Sequence, residues 1–412
     1  MAESTGTRPF PVLALLVLAG AIFVSVTGEF LPTGLLPDMA RDLDVSVPQA
    51  GLLVSVFAGT VVVATAPLAA LTRTVSRKQL VVTVLVINAL ATVLAAVSPN
   101  YEVLLGARIL AGLAHGLFWA VIGSYAAHLV AAPQLARAIA ITGAGGSAAF
   151  VLGVPVGTAL GHGLGWRLAF GIIAVTMLIL AALVLWLLPA IDHRAHLGEA
   201  GARTSLRRDP SLGPVLVVCG TIAVIIVGQN VLYTYIAPFI TDLAGFSSDS
   251  VGPILFLYGG AGAIGLVLAG ILGNRRPLLG IGTAAAASIA CILALGAAPT
   301  VAPLVVIAVV VWGVAFGALP PLLQTRNMTV ASLRIRDLAS AGMTTAFNVG
   351  IGGGALVGAV LTGAIGLEVL AWVAAAVMAV GVLFLLVLST HGRLGDASET
   401  GHGKGSDPSV IL

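Results

Sequence analysis

Glu29 is the acidic residue, out of sixteen, that falls deep inside an apolar run of this sequence. It lies in Ser25-Val26-Thr27-Gly28-Glu29-Phe30-Leu31-Pro32, toward the end of a run that begins at Phe10. A carboxylate in hydrocarbon costs about 3 kcal/mol on insertion scales, so such groups face a cavity, pair with a partner, or carry protons. Arg108 stands within a second apolar run, and His115 follows seven residues later, on the same face of a helix. Imidazole exchanges protons near neutral pH. An acid, an arginine and a histidine at membrane depth suit proton transfer. The plainer readings are a permanently paired structural carboxylate, an arginine snorkelling to the interface, and a histidine that only packs.

These residues need a frame, and the composition describes one. Of 412 residues, 59% are hydrophobic and 8% charged, against about 25% charged in soluble chains. The mean hydropathy is +1.11, which places the chain in a bilayer. Runs long enough to span recur at about 10–36, 51–71, 80–98, 104–130, 138–161 and 168–188. After a polar break they resume at 214–240, 254–274, 278–298, 303–325, 338–363 and 368–389. Each approaches the roughly 20 residues a bilayer demands. The first run is too long for a signal-peptide core and reads as a retained signal anchor. The expected organisation is an N-terminal tail (1–9), a six-helix bundle (10–188), a central loop (189–213), a second six-helix bundle (214–389) and a disordered tail (390–412). Cys219 and Cys291 fall inside apolar runs and read as small packing residues.

Basic residues set the orientation. With the N-terminus in the cytoplasm of a cell-membrane protein, sixteen of nineteen Lys and Arg fall on the cytoplasmic side, as do both termini and the central loop. The two halves also repeat. A shift of 201 residues without a gap carries Pro37 onto Pro238, Gly51 onto Gly252, Phe57 onto Tyr258 and Gly112 onto Gly313. It carries Gly153 and Gly157 onto Gly354 and Gly358, and Glu29 onto Asn230, so the acid belongs to one half only. Two parallel halves imply a transporter with its site between them near the midplane.

Several stretches sharpen this. They are Thr27 to Asp38 with its Gly28-Glu29-Phe30-Leu31-Pro32 core, and Arg108 to Gly112 with Ala114-His115-Gly116-Leu117-Phe118-Trp119. Leu232 to Phe239, Pro320 to Thr325 and Ala346 to Gly350 add to them. Together they resemble the major facilitator superfamily, and within it the twelve-span drug:proton antiporters of the branch that exports chloramphenicol and arabinose-type sugars. The resemblance covers about 10–390 and implies an all-α membrane fold of twelve helices in two pseudo-symmetric six-helix halves, most simply a monomer. It implies a substrate-and-proton role for Glu29 and a part in proton coupling for Arg108 with Gly112. Gly153-Val154-Pro155-Val156-Gly157 is similar to the family's antiporter motif. Arg73, Arg77 and Lys78 correspond to the cytoplasmic gate loop between helices 2 and 3. Here the sequence departs from the family, since the usual Asp is absent and Asn274 precedes Arg275-Arg276 in the second half.

Polar and aromatic residues at spanning depth outline the expected cavity: Trp119, Gln229, Asn230, Tyr233, Tyr235, Gln324 and Asn348. Mostly apolar walls with a few placed polar groups suit a neutral, weakly amphiphilic compound. The expected function is proton-coupled export of such a compound, a drug of chloramphenicol type. The alternatives are export of sugars or nucleoside-like metabolites, and uptake by proton symport. An enzyme would need clustered catalytic groups, which the scattered histidines and single buried acid do not supply. The expected partners are the substrate, protons and lipid, with no nucleic acid, no metal and no cofactor beyond the proton gradient. Gly260-x-Gly262-x-x-Gly265 copies a dinucleotide fingerprint by spacing but has no strand before it. His193 and His196 lack a third ligand for a metal.

Overall fold

The computed structural model describes residues 10–72, 74–189, 209–272 and 277–390. Within them lie α1 (Val12–Asp42), α2 (Val47–Leu71), α3 (Arg77–Ala96), α4 (Tyr101–His128), α5 (Arg137–Leu164) and α6 (Trp166–Leu187). The second half holds α7 (Leu212–Tyr233), α8 (Val251–Leu272), α9 (Pro277–Ala297), α10 (Ala302–Val330), α11 (Arg336–Ala364) and α12 (Val369–Thr390). No strand occurs among the described residues. Eleven of the helices are long and apolar enough to cross a bilayer, and α12 carries the shorter apolar stretch Val369–Leu385. The expected all-α fold of twelve spans in two pseudo-symmetric halves is the fold observed.

Composition sorts the helices into central and peripheral positions. On α6, Leu168, Ile172, Val175, Ile179 and Trp186 form one exposed stripe, which in a bilayer faces lipid rather than water. α1 instead buries residues on all its faces, including Ser25, Thr27, Glu29 and Thr33. Polar groups are therefore concentrated in the buried middle of a helix whose exposed apolar residues, Val12, Leu13 and Leu16, lie near its start.

The halves meet along two seams, α2 against α11 and α5 against α8. The 201-residue repeat is visible in them. Ala58 of α2 faces Gly352 of α11, and the shifted partners Gly259 of α8 and Val151 of α5 face each other in the second seam. Inside each half the same symmetry holds. Gly112 of α4 lies against the Phe57 carbonyl, and Gly313 of α10 lies against the Tyr258 carbonyl. A side chain at either glycine would push the two helices apart. Gly262 and Gly265, the false dinucleotide spacing, are used in the same way, to bring α8 against α10.

Prolines shape the spans. α1 runs through Pro32 and Pro37 and continues to Asp42, six residues past the end expected for the span. In α5 a π turn over Ala149–Gly153 precedes Pro155, with the Val154 N–H reaching back to the Ala149 carbonyl. The wider turn absorbs the missing N–H and the ring of the proline. α7 ends at Tyr233 instead of continuing to 240, and the chain turns at Thr234 and Tyr235 before Ile236–Pro238 and a π turn over Phe239–Leu243. Pro238 has no N–H to offer the Thr234 carbonyl, so the ladder stops there.

Candidate functional site

Pro32 also prepares the site. Without an N–H at Pro32, the Gly28 carbonyl loses its helical donor, and in a bilayer a freed carbonyl must find another. Arg108 of α4 supplies it. Its Nη1 donates to the Gly28 carbonyl and its Nη2 to the Glu29 carbonyl, each at 3.1 Å. The guanidinium stacks 4.2 Å above the Phe57 ring of α2, and the side chain is buried. Arg108 thus holds the main chain of α1 at its proline bend.

The Glu29 carboxylate turns to His115. Oε2 lies 3.2 Å from His115 Nε2, and both side chains are almost fully buried. Nδ1 of the same ring lies 2.9 Å from Ser25 Oγ, one turn before Glu29 on α1. Asn88 Nδ2 of α3 donates to that hydroxyl at 3.5 Å. On the other edge, Trp119 Nε1 donates to His115 Nε2 at 2.7 Å, from one turn further along α4. The result is a continuous polar line, Asn88–Ser25–His115–Glu29, with an indole at its rim. The histidine can hold its proton on either nitrogen, because the Ser25 hydroxyl both donates and accepts.

The second half has a polar node of its own. Gln229 Nε2 donates to the Tyr258 hydroxyl at 2.8 Å, and Trp312 Nε1 donates to Gln229 Oε1 at 2.9 Å. The rings of Tyr233, Tyr258 and Trp312 stack around this amide at 5.1–6.2 Å. Phe30 of α1 meets Phe150 of α5 and Tyr233 of α7, so aromatic rings from both halves touch at the level of Glu29.

The other anticipated cavity residues fall in different places. Asn230 is buried and donates to the Ile226 carbonyl of its own helix. Tyr235 is buried in the turn after α7, with its hydroxyl on the Ala355 carbonyl and its ring against Gly51 and Gly358. Gln324 of α10 is exposed. Asn348 of α11 is buried, with its amide on the Thr344 carbonyl and its Oδ1 unpartnered. A cavity of ≈ 640 Å³ opens between α7 and α11 near the face that carries the start of α7, lined by Cys219, Ala223, Thr345 and Val349 among others. At the opposite face a pocket of ≈ 140 Å³ lies between Asp38, Arg41 and His162 of one half and Ala237, Thr241 and Asp242 of the other.

Gly153 and Gly157 bring α5 onto Thr27 and Leu31 of α1, and Pro155 follows the π turn at the same contact. Arg77 and Lys78 open α3, whose first turn is capped by Ser76. Arg73, Arg275, Arg276, His193 and His196 lie outside the described residues. Sequence reasoning passed over Ser25, Asn88, Tyr258 and Trp312. Ser25 carried a signal, since it stands four residues before Glu29 on the same helix face. Asn88 carried none.

A sequence model of the Major Facilitator Superfamily matches residues 18–334. Among solved structures, the chain is similar to a bacterial homolog of the human lysosomal transporter Spinster in an inward-facing, unoccupied conformation. There the identity is 17%, with 94% of this chain and 97% of that one covered and a TM-score of 0.74. The chain is also similar to the nucleoside transporter NupG, at 13% identity, covering 91% of this chain and 99% of that one with a TM-score of 0.72. At such identities the likeness concerns the fold.

Proposed function

Because the chain belongs to the Major Facilitator Superfamily, we propose that it is a proton-coupled exporter of a small neutral amphiphilic compound, a drug of chloramphenicol type, working by alternating access across the cell membrane. The observation that carries this reading is the buried Glu29–His115 contact, an acid and an imidazole 3.2 Å apart on α1 and α4 with no lipid exposure. Two proton-exchanging groups within hydrogen-bond reach form a site that can load and release a proton. A purely structural pair would not need the Ser25–Asn88 extension that lets the ring change tautomer. Arg108 positions Glu29 through its main chain. The aromatic rings around Gln229 supply an apolar wall with a single amide, which fits a ring-bearing uncharged compound. A nucleoside-like or sugar cargo is the competing reading, supported by the hydroxyl and amide of Tyr258 and Gln229. The face that carries the start of α7 is cytoplasmic in this reading, in accord with the basic residues.

The test is proton movement in inside-out vesicles, followed with a pH-sensitive dye and a panel of chloramphenicol, arabinose and a nucleoside. The expected result is that one compound discharges the gradient in wild type and none does in Glu29→Gln. Equal responses from the two proteins would remove Glu29 from the proton path.

A further inference from the structure

We propose that the indole N–H of Trp119 and a proton compete for one lone pair, that of His115 Nε2, so that protonation of the site displaces the indole. The proposal rests on the reading of Glu29 and His115 as the proton site. An imidazole nitrogen has a single lone pair in the ring plane. Trp119 Nε1 donates to it at 2.7 Å, while Glu29 Oε2 stands 3.2 Å from the same nitrogen, placed to accept an N–H there. While the indole donates to Nε2, that nitrogen is unprotonated, and the ring keeps its hydrogen on Nδ1, donated to Ser25 Oγ. When a proton sits on Nε2, the new N–H turns to Glu29 and would meet the indole N–H head on. The indole must then leave.

Only the indole has room to do so. Trp119 is 36% exposed, whereas His115 is 1% and Glu29 6% exposed. Proton arrival therefore pushes the indole ring outward. The groups around His115 add no rival titration from other helices. α1 brings Glu29, α4 itself brings Arg108, and Arg108 is engaged by the α1 carbonyls. α2 presents Phe57 and α3 presents Asn88, neither of which titrates.

The experiment needs no substrate. The full chain is labelled with 5-fluorotryptophan in nanodiscs, and the Trp119 fluorine resonance is identified among the five tryptophans by its loss in Trp119→Phe. The expected result is a one-proton transition of this resonance between about pH 5 and 9. The transition is absent in His115→Gln and altered in Glu29→Gln, where the new Nε2–H has lost its carboxylate acceptor. A Trp119 signal that stays fixed across this range in wild type, or that titrates unchanged in Glu29→Gln, overturns the proposal, and the Glu29 variant keeps the test decisive if His115→Gln does not fold. The vesicle assay separates the two readings. A fixed indole signal beside Glu29-dependent antiport removes the part given to Trp119 alone, while Glu29-independent antiport removes the proton site beneath it.

Discussion

The arginine in this site works on the backbone. Arg108 could have met the Glu29 carboxylate directly; instead its two Nη groups take the Gly28 and Glu29 carbonyls, and the carboxylate is left to His115. A lysine cannot reproduce that fork, because one ammonium neither spans two carbonyls in a plane nor stacks as a guanidinium does on Phe57. Arg108→Lys is expected to give up one of the two charge-assisted hydrogen bonds, a cost of about 1.5–3 kcal/mol. Thermal unfolding in detergent checks this, and an unchanged melting curve would show that the two hydrogen bonds carry no weight. The residue types of this site were legible from the sequence, since Glu29 stood out by burial and His115 by its spacing from Arg108. The partners were not. Whether an arginine seven residues from a histidine bonds a carboxylate or a carbonyl depends on Pro32, which frees the Gly28 oxygen on the neighbouring helix. The contact of Trp119 with His115 depends on rotamers that packing against Phe118 selects.

At the scale of helices, the close approach of α5 to α1 sets the width of the bundle beneath the site. Gly145 is the sharpest case, because a Cβ there would run into the carbonyl and backbone of Ala19, and a helix backbone cannot rotate away as a side chain can. Gly145→Ala is expected to destabilise the protein by about 1–3 kcal/mol through overpacking. Gly171→Ala on α6, where nothing lies within 4 Å, is expected to be neutral or to stabilise by up to about 1 kcal/mol through helix propensity. Melting temperatures of the two variants decide the point; if both fall alike, the glycines of α5 owe nothing to contact with α1. Twelve spans could be read from hydropathy because each needs only a length and an apolar composition. The break of α7 at Thr234 and the π turn of α5 could not. Both arise where a proline removes one N–H, yet α1 passes Pro32 and Pro37 as a continuous helix. Neighbouring groups decide which outcome follows, and in α1 the neighbour is Arg108.

For the molecule as a whole, the proposed alternating access turns on which contacts part when the halves exchange the face they open. At the face with Asp38, His162 and Ala237 a pocket of ≈ 140 Å³ lies between the halves, whereas the ≈ 640 Å³ cavity lies within the second half, between α7 and α11. The 201-residue repeat shows that the two seams are built alike. The balance rests on local wedges, and Gly51 is one of them. The buried Tyr235 ring, from the second half, fits against Gly51 of α2, and a Cβ there would strike its Cζ and Cε1. Tyr235 has Gly358 behind it and cannot retreat. A ligand-free equilibrium of this kind shifts by the difference in free energy between its two states, tenfold for about 1.4 kcal/mol. Gly51→Ala therefore penalises the state in which Tyr235 is seated and favours opening of the Ala237 face. Two reporters read the outcome. Ala237→Cys, at a position 1% exposed, is expected to react with a membrane-impermeant maleimide several-fold faster in the Gly51→Ala background. Thr345→Cys, in the groove between α7 and α11 within the second half, is expected to react at an unchanged rate. A rise at both positions would mean a loosened seam instead of a shifted equilibrium. No change at either would show that the molecule opens its Ala237 face without moving Tyr235 from Gly51, and the pivot would then have to lie in the α5–α8 seam.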